Sequence, residues 1–200
     1  MASQSWGQVI ASLPKAGTLY NTYTTAKSML TSATVTEASA AAKILPSGFF
    51  QRKGVLEIDF TAGISNRITG PDTFTIQVMV GAAIAFTTGA INLTTTAHTT
   101  IPCVGKIILT CDVEGTGTTA VLRGQAMLWG QMIAMAASLA DGAANTGWAM
   151  CPNTAPAVGA GFDSTIANTL DFFVAQSVSN AGNGFQLQQY VVKSWGNTAD

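Results

Sequence analysis

The sequence predicts an all-β protein: a jelly-roll-like antiparallel β-sandwich with an N-terminal arm. Apolar and polar residues alternate in several segments, as from Phe74 to Val80, and strand side chains alternate between two faces in this way. Turn-forming stretches rich in Gly, Asn and Thr separate these segments at the spacing typical of sandwiches and barrels. A chain of 200 residues is long enough for one such domain. We therefore expect an arm over residues 1–45 and a sandwich over residues 46–200.

The N-terminal arm is rich in Ala, Ser and Thr, and its apolar residues follow neither a two-residue nor a 3.6-residue period. Such a segment is expected to order against a neighbouring subunit and to make few contacts with its own sandwich. Within it, "TVTEASAAAKIL" from Thr34 to Leu45 predicts a brief helix, because Glu and Ala are good helix formers. Pro46 and Gly48 then mark the start of the alternating segments.

The first half of the sandwich predicts two antiparallel hairpins. In one, the alternating segment from Leu56 to Ile64 leads through "SNRITGPD" into the Phe74 to Val80 strand. In the other, Ile107 to Val113 leads through "GTGTT" into the next strand. The longest apolar stretch, Val78 to Ile91, is interrupted by Gly and Thr and is too short for a membrane-spanning helix. It predicts a strand, a turn and a second strand.

The second half predicts three further features. Apolar residues occupy both alternating positions from Val121 to Ile133, which indicates a strand covered on both faces. Residues Asp141 to Asp163 are rich in Gly, Ala, Pro and Asn and predict a long connection. A last pair, Thr169 to Ser177 and Phe185 to Lys193, flanks "NAGNG". The chain is thus expected to contain about eight strands.

Composition excludes several classes of partner. Charged residues make up 10% of the chain, against about 25% in typical globular proteins, and the net charge is −1. Without a basic surface, neither nucleic acid nor an acidic membrane face is an expected partner. The N-terminus has no secretory signal pattern, so the chain is expected to stay where it is synthesised. Cys103, Cys111 and Cys151 lack metal-ligand or disulfide spacing and are expected to be small core residues.

The sequence offers few candidates for catalysis. His98 is the one histidine, and no nucleophile motif accompanies it, so a loop or surface position is expected. Glu57 with Asp59, and Asp112 with Glu114, place two carboxylates about 7 Å apart on one strand face, a spacing that resembles an inverting glycosidase. Charges on half-exposed strands commonly serve instead to prevent edge pairing, and we favour that interpretation. We therefore expect no enzyme activity, no catalytic residue, no cofactor and no metal.

Two further sets of residues have a structural and a functional interpretation. Lys43, Arg52 and Lys53 lie near Phe49 and Phe50, but three charges are too few for a phosphate-binding surface. A solvated entrance to a strand, or a contact with an acidic subunit, is favoured. The four tryptophans are spread along the chain and are expected to be core or interface anchors, while a carbohydrate-binding face stays open as an alternative. They are Trp6, Trp129, Trp148 and Trp195.

Two stretches carry a family resemblance. They are "LPSGFFQRKGVLEIDFTAGISNRITGPDTFTIQVMVGAAIAFTTGAINL" and "APAVGAGFDSTIANTLDFFV", both built of short strands rich in Thr, Ala and Gly. From Leu45 to Lys193 the chain resembles the small structural proteins of tailed bacteriophages and prophages, of the decoration, cement or fibre type. The resemblance implies a virion component with a jelly-roll-like β-sandwich.

From this resemblance the leading expectation is a capsid decoration, or cement, protein that binds the assembled head. Its expected partners are the major capsid protein or other virion proteins, and its location is the virion, assembled in the cytoplasm of the bacterial host. A surface with few charges suits large protein contacts and predicts a homo-oligomer, with a trimer favoured. One alternative is a tail-fibre, head-fibre or receptor-binding module that contacts host-surface glycans. A glycan-cleaving enzyme is the third class and requires a carboxylate pair in a pocket.

Overall fold

The computed structural model describes residues 7–13, 16–30, 43–67, 72–134, 147–152 and 156–196. These residues form fourteen strands and no helix. In chain order the strands are β1 Gln8–Ser12, β2 Tyr20–Asn21, β3 Lys27–Ser28, β4 Lys43–Leu45, β5 Val55–Asn66, β6 Thr73–Val80, β7 Ala83–Thr87, β8 Ile91–Asn92, β9 His98–Val113, β10 Val121–Gly130, β11 Trp148–Cys151, β12 Ala157–Val158, β13 Asn168–Gln176 and β14 Gly184–Trp195. Within the described residues, therefore, no helix is available to cross a membrane.

The strands form two antiparallel sheets, so the predicted all-β sandwich is confirmed. Sheet A has eight strands in the order β1-β14-β5-β9-β10-β11, with β2 beside β14 and β12 beside β10. Sheet B has six strands in the order β3-β13-β6-β7, with β4 beside β13 and β8 beside β6. The expected connection over residues 141–163 is only partly correct, because its described residues include the short strands β11 and β12.

The core lies between the two sheets and is built from the alternating residues of the long strands. Along β5, the inward positions Leu56, Ile58 and Phe60 are almost fully buried, and the outward positions are partly exposed. The ring of Phe60 in sheet A meets that of Phe172 in sheet B, with centroids 5.0 Å apart. All three cysteines are free and buried, which confirms their expected place in the core.

Gly105 and Gly124 allow aromatic rings to pack directly against the backbone of sheet A. A Cβ atom at Gly105 would overlap the ring of Phe60 and come within 2.7 Å of Leu128 Cδ2. A Cβ atom at Gly124 would likewise overlap the ring of Phe86 and the side chain of Leu109. Glycine is therefore required at these two strand positions because aromatic rings occupy the space of a side chain.

Two of the predicted hairpins are wrong. The hairpin of β9 and β10 is present, and so is the strand, turn, strand of β6 and β7. However, β5 and β6 do not pair with each other, because β5 pairs with β14 and β9 in sheet A and β6 belongs to sheet B. The predicted last pair is also divided, with β13 in sheet B and β14 in sheet A. In both cases the chain crosses from one sheet to the other, and every strand buries one apolar face in the same core. The alternation of apolar residues therefore does not specify which sheet a strand joins.

A buried polar cluster holds these two crossovers together. Asp72, which is almost fully buried, accepts hydrogen bonds from Arg67 Nε at 2.9 Å and from Asn183 Nδ2 at 3.0 Å. The backbone N–H of Arg67 donates in turn to Asn183 Oδ1 at 3.1 Å. Arg67 follows β5, Asp72 precedes β6 and Asn183 precedes β14. Side-chain hydrogen bonds therefore join the ends of three strands at one edge of the sandwich.

The described residues of the N-terminal arm belong to the sandwich. β1 and β2 pair with β14, and β3 and β4 pair with β13. Tyr23, Met29 and Leu30 are buried in the core. For these residues the expectation of few contacts with the sandwich is wrong, because their strand pairing and burial occur within one chain. The arm boundary at residue 45 stays a prediction. Of the predicted helix, residues 34–42 lie outside the described residues, and Lys43–Leu45 is a strand.

Candidate functional site

The outer face of sheet A, which points away from sheet B, carries a network of four charged side chains. Neighbouring strands bring Glu57 and Asp59 of β5 between Lys106 of β9 and Lys193 of β14. Lys106 Nζ lies 3.0 Å from Glu57 Oε1 and 4.0 Å from Asp59 Oδ1. Lys193 Nζ lies 2.7 Å from Asp59 Oδ2 and 3.3 Å from Glu57 Oε1. We call these four residues the ion network.

The ion network is electrically balanced, with two ammonium groups and two carboxylates. The hydrogen bonds to Asp59 and Glu57 raise the pKa of Lys193 above its usual value. The carboxylate pair predicted from the sequence thus lies on one face, as expected, but each carboxylate is held by lysines of adjacent strands. In this arrangement the carboxylates act as hydrogen-bond acceptors beside two cationic donors.

The second predicted carboxylate pair does not share a site. Asp112 pairs with Arg123 of β10 at 2.8 Å, at a partly exposed position. Glu114 lies past the end of β9 and accepts a hydrogen bond from the backbone N–H of Arg52 at 3.4 Å. These two carboxylates therefore bind different partners, each at the surface.

His98 is the first residue of β9 and is partly exposed. Of the expected loop or surface position, the loop is therefore wrong, because the residue lies in a strand. Its Nε2 is 3.1 Å from Thr94 Oγ1. In the described part of the chain, no carboxylate is bonded to the ring. Among the same residues no group of three or more His, Cys, Asp or Glu side chains is arranged to hold a metal ion.

Burial also explains the state of the cysteine thiols. It raises the pKa of Cys103 to about 12 and that of Cys151 to about 11. Burial, followed by the charges of Glu114 and Asp112, raises the pKa of Cys111 to about 11. Since the thiolate is the reactive form of cysteine, these three thiols are protonated and unreactive near neutral pH.

The basic cluster predicted near Phe49 and Phe50 has no aromatic surface. Both rings are buried, and Phe50 packs edge-on against Phe162 with centroids 4.9 Å apart. Arg52 and Lys53 are exposed in the turn before β5, as expected for a solvated strand entrance. Because the rings are in the core, they are not available to stack on a nucleic acid base.

Beside the ion network the outer face is apolar and aromatic. Trp129 of β10 and Trp148 of β11 are register partners, and each is more than 40% exposed. Val104 of β9 is the register partner of Trp129 on the other side and is similarly exposed. β10 was expected to be covered on both faces, and this is wrong: one face is buried in the core, and on the other Trp129 reaches solvent.

A shallow cavity of about 240 Å³ joins the aromatic part of this face to the charged part. We call it the shelf. The side chains that line it include Asp59, Thr61, Val104, Lys106, Trp129 and Gln189. Thr61 Oγ1 donates to Gln189 Oε1 at 3.2 Å and so fixes the amide at one end. The strand order β14-β5-β9-β10 places these residues side by side, although they are far apart in sequence.

Sequence reasoning identified the two carboxylates of the ion network, of which Asp59 lines the shelf, but it missed the lysines, the glutamine and the tryptophans beside them. The four tryptophans are spread along the chain, and the pairing of β10 with β11 brings Trp129 and Trp148 together. Lys106, Lys193 and Gln189 occupy outward positions of strands, and this is a usable signal for exposure. The strand order that makes them neighbours of Asp59 is not encoded in any local pattern. Trp195 is exposed at the end of β14, and Trp6 lies outside the described residues.

Comparison with known proteins gives one similar solved structure to report. No family model and no curated protein matches the chain. The solved structure is the CBM2 module of the evolved Dit of Lactobacillus casei BL23 phage J-1. The alignment covers 98% of this chain and 99% of that chain, with 10% sequence identity and a TM-score of 0.38. At that identity and TM-score, the likeness carries no conclusion about the fold or the function of this chain.

Proposed function

We propose that the protein is a structural component of a tailed bacteriophage virion, a β-sandwich that binds the assembled head as a decoration protein. The observation that carries the proposal is an unusual surface: large apolar side chains are exposed on a sandwich with very few charges. Outside the shelf, the large apolar side chains that are more than 44% exposed are Val9, Ile44, Val113, Val158 and Ile166. Burial of such side chains against a partner is favourable because it removes apolar area from water.

The site of attachment in this proposal is the sandwich surface. The described residues of the N-terminal arm pair with both sheets, and this pairing favours attachment through the folded domain over a separate clamp. The partner is the major capsid protein or another virion protein, and the exposed residues supply an interface poor in charge. The sequence resemblance to phage structural proteins supports the same assignment.

Electron cryomicroscopy of the particles whose genome encodes the chain tests the proposal. We expect density for the two-sheet sandwich at regular positions on the head lattice. Density at the tail or on a fibre would instead favour the receptor-binding alternative, and particles without the protein would refute a virion role. The full chain should hydrolyse no glycan offered to it, whereas measurable turnover would favour the third class, a glycan-cleaving enzyme.

Retention on heads provides a second test. Aspartate is introduced singly at the exposed apolar positions Val9, Val158 and Ile166, and at the exposed polar position Thr118 as a control. A buried unpaired charge weakens an interface, so at least one apolar position should lose retention while Thr118→Asp binds normally. Equal retention of all variants would contradict attachment through these side chains.

The receptor-binding alternative keeps one specific observation in its favour. The shelf combines an exposed indole with acidic, basic and amide groups. Pockets for small polar ligands have this mixture of aromatic and polar lining.

A further inference from the structure

We propose that the shelf binds one pyranose ring of a neutral glycan, which stacks on the indole of Trp129 and is hydrogen-bonded by Asp59, Lys106 and Gln189. This inference concerns a ligand site on the isolated protein. It does not depend on the position of the protein in a virion.

The size and position of the shelf fit one sugar ring. Thr61, Val104 and Trp129 are register neighbours across β5, β9 and β10, and Asp59 and Lys106 form the next outward row. Asp59 and Lys106 are thus about 7 Å from this row along the strands, two residues at the usual strand rise, and Gln189 lies in the same row as Trp129, at its β14 end. A volume of about 240 Å³ is below the range of roughly 300–1,000 Å³ for drug-sized ligands, which suits a single ring with the rest of the glycan in solvent.

The aromatic wall supplies the apolar half of the recognition. Trp129 is 46% exposed, whereas Leu128 beside it in the strand points into the core and is fully buried. A pyranose ring with mostly equatorial hydroxyl groups has one face of C–H groups, and stacking this face on an indole buries apolar area on both partners. Val104 and Trp148 extend the exposed apolar strip on either side of Trp129.

The ion network supplies the polar half. A sugar hydroxyl both donates and accepts a hydrogen bond, so one hydroxyl can bind a carboxylate of Asp59 and the ammonium group of Lys106 together. Among the described residues, Gln189 accepts from Thr61 through Oε1 and has no acceptor for its Nε2. Hydrogen bonds to ionised groups are about twice as strong as neutral ones.

The charge balance favours a neutral ligand. Lys106 and Lys193 are matched by Glu57 and Asp59, so the face offers no net positive charge to a polyanion. It is also a poor protein-binding centre, because the buried cores of protein interfaces are depleted in charged residues. A neutral glycan fits both the balanced charge and the charged surroundings of the shelf. Its hydroxyl groups can replace the water molecules that hydrate the four charged side chains, and the ligand needs no charge of its own.

Binding of oligosaccharides to the full chain tests the inference. The probes are neutral β-linked gluco-, galacto-, xylo- and N-acetylglucosamine oligosaccharides, with polygalacturonate and heparin as anionic probes, on an array and then by titration calorimetry. We expect binding to at least one neutral series and a blue shift of tryptophan fluorescence on binding. No binding to any neutral series, or binding confined to the anionic probes, would overturn the inference.

Variants distinguish the shelf from the rest of the face. Trp129→Ala should weaken binding at least tenfold, and Trp129→Phe should restore part of the affinity. Trp195→Ala is the matched control, because Trp195 is 40% exposed on the same face, about 20 Å away by strand rise, and it should leave the affinity within twofold.

A polar variant makes the test independent of the indole. Gln189→Ala changes an exposed side chain at the other end of the shelf and should weaken binding three- to tenfold. Circular dichroism and thermal unfolding confirm that each variant is folded. Unchanged affinity in both Trp129→Ala and Gln189→Ala would refute the shelf as the site. The failure of this inference leaves the virion role intact, because the latter is tested by the location of the protein in particles.

Discussion

Replacement of Gly105 by Ala tests how the floor of the shelf is supported. The new Cβ would overlap the Phe60 ring and lie 2.7 Å from Leu128 Cδ2. Phe60 has no room to withdraw, because its ring already packs against Phe172 with centroids 5.0 Å apart. Overpacking of a tight core costs about 1–3 kcal/mol. For a chain of this size each kcal/mol of lost stability lowers the Tm by about 2–4 °C, so the Tm should fall by roughly 2–12 °C.

A double variant separates this overlap from other effects of the substitution. In the Phe60→Leu background the ring is gone, so Gly105→Ala should cost at least about 1 kcal/mol less than in the wild-type chain. Without the overlap, alanine in a strand is favoured over glycine by about 0.5–1 kcal/mol, because glycine loses more conformational entropy on folding. Chemical denaturation of the four proteins gives the coupling. Equal costs in both backgrounds, or a stabilising Gly105→Ala, would refute the packing argument.

Three other outcomes are expected. Burial raises the pKa of Asp171, although its Oδ1 accepts hydrogen bonds from Ser28 Oγ and from the backbone N–H of Phe172. Ionisation of Asp171 therefore opposes folding. This unfavourable contribution grows as the pH rises above about 4, the usual pKa of an aspartate carboxyl group. Asp171→Asn should therefore be more stable than the wild type at pH 7 by chemical denaturation, with the difference shrinking toward pH 3; a constant difference would contradict this cause. Deletion of residues 1–30 should lower the Tm strongly, because it removes β1 to β3 and three buried side chains, each worth about 1.5–3 kcal/mol, whereas deletion of residues 1–6 serves as the control. Light scattering coupled to size exclusion should give the mass of three chains, and a one-chain mass at all concentrations would contradict the trimer.

The sequence was a good guide to which segments are strands and which of their residues face the core. Phe74, Ile76, Val78 and Val80 alternate with polar residues and are all buried in β6. This works because a strand with one buried face must place an apolar residue at every second position. The register of a single strand against the core is therefore a local property of the sequence.

The partition of strands between the sheets is a long-range property and was not predictable in the same way. β5 pairs with β14, more than a hundred residues later in the chain, and not with the next strand, β6. Asp72 and Asn183 fix this crossover through hydrogen bonds that join three strand ends. Since the shelf lies across β14, β5, β9 and β10, its composition depends on this partition, and local alternation could locate only its separate parts.

The ion network has a composition that stability alone does not explain. The chain has nine Lys and Arg residues and ten Asp and Glu residues, and four of these charges lie together beside an exposed indole. Ion pairs at the surface contribute little to stability, because solvent screens them and ordering two long side chains costs entropy. The concentration of charge at one place on a weakly charged surface therefore supports the proposed glycan site, because the adjacent Trp129 offers the apolar face that such a ligand requires.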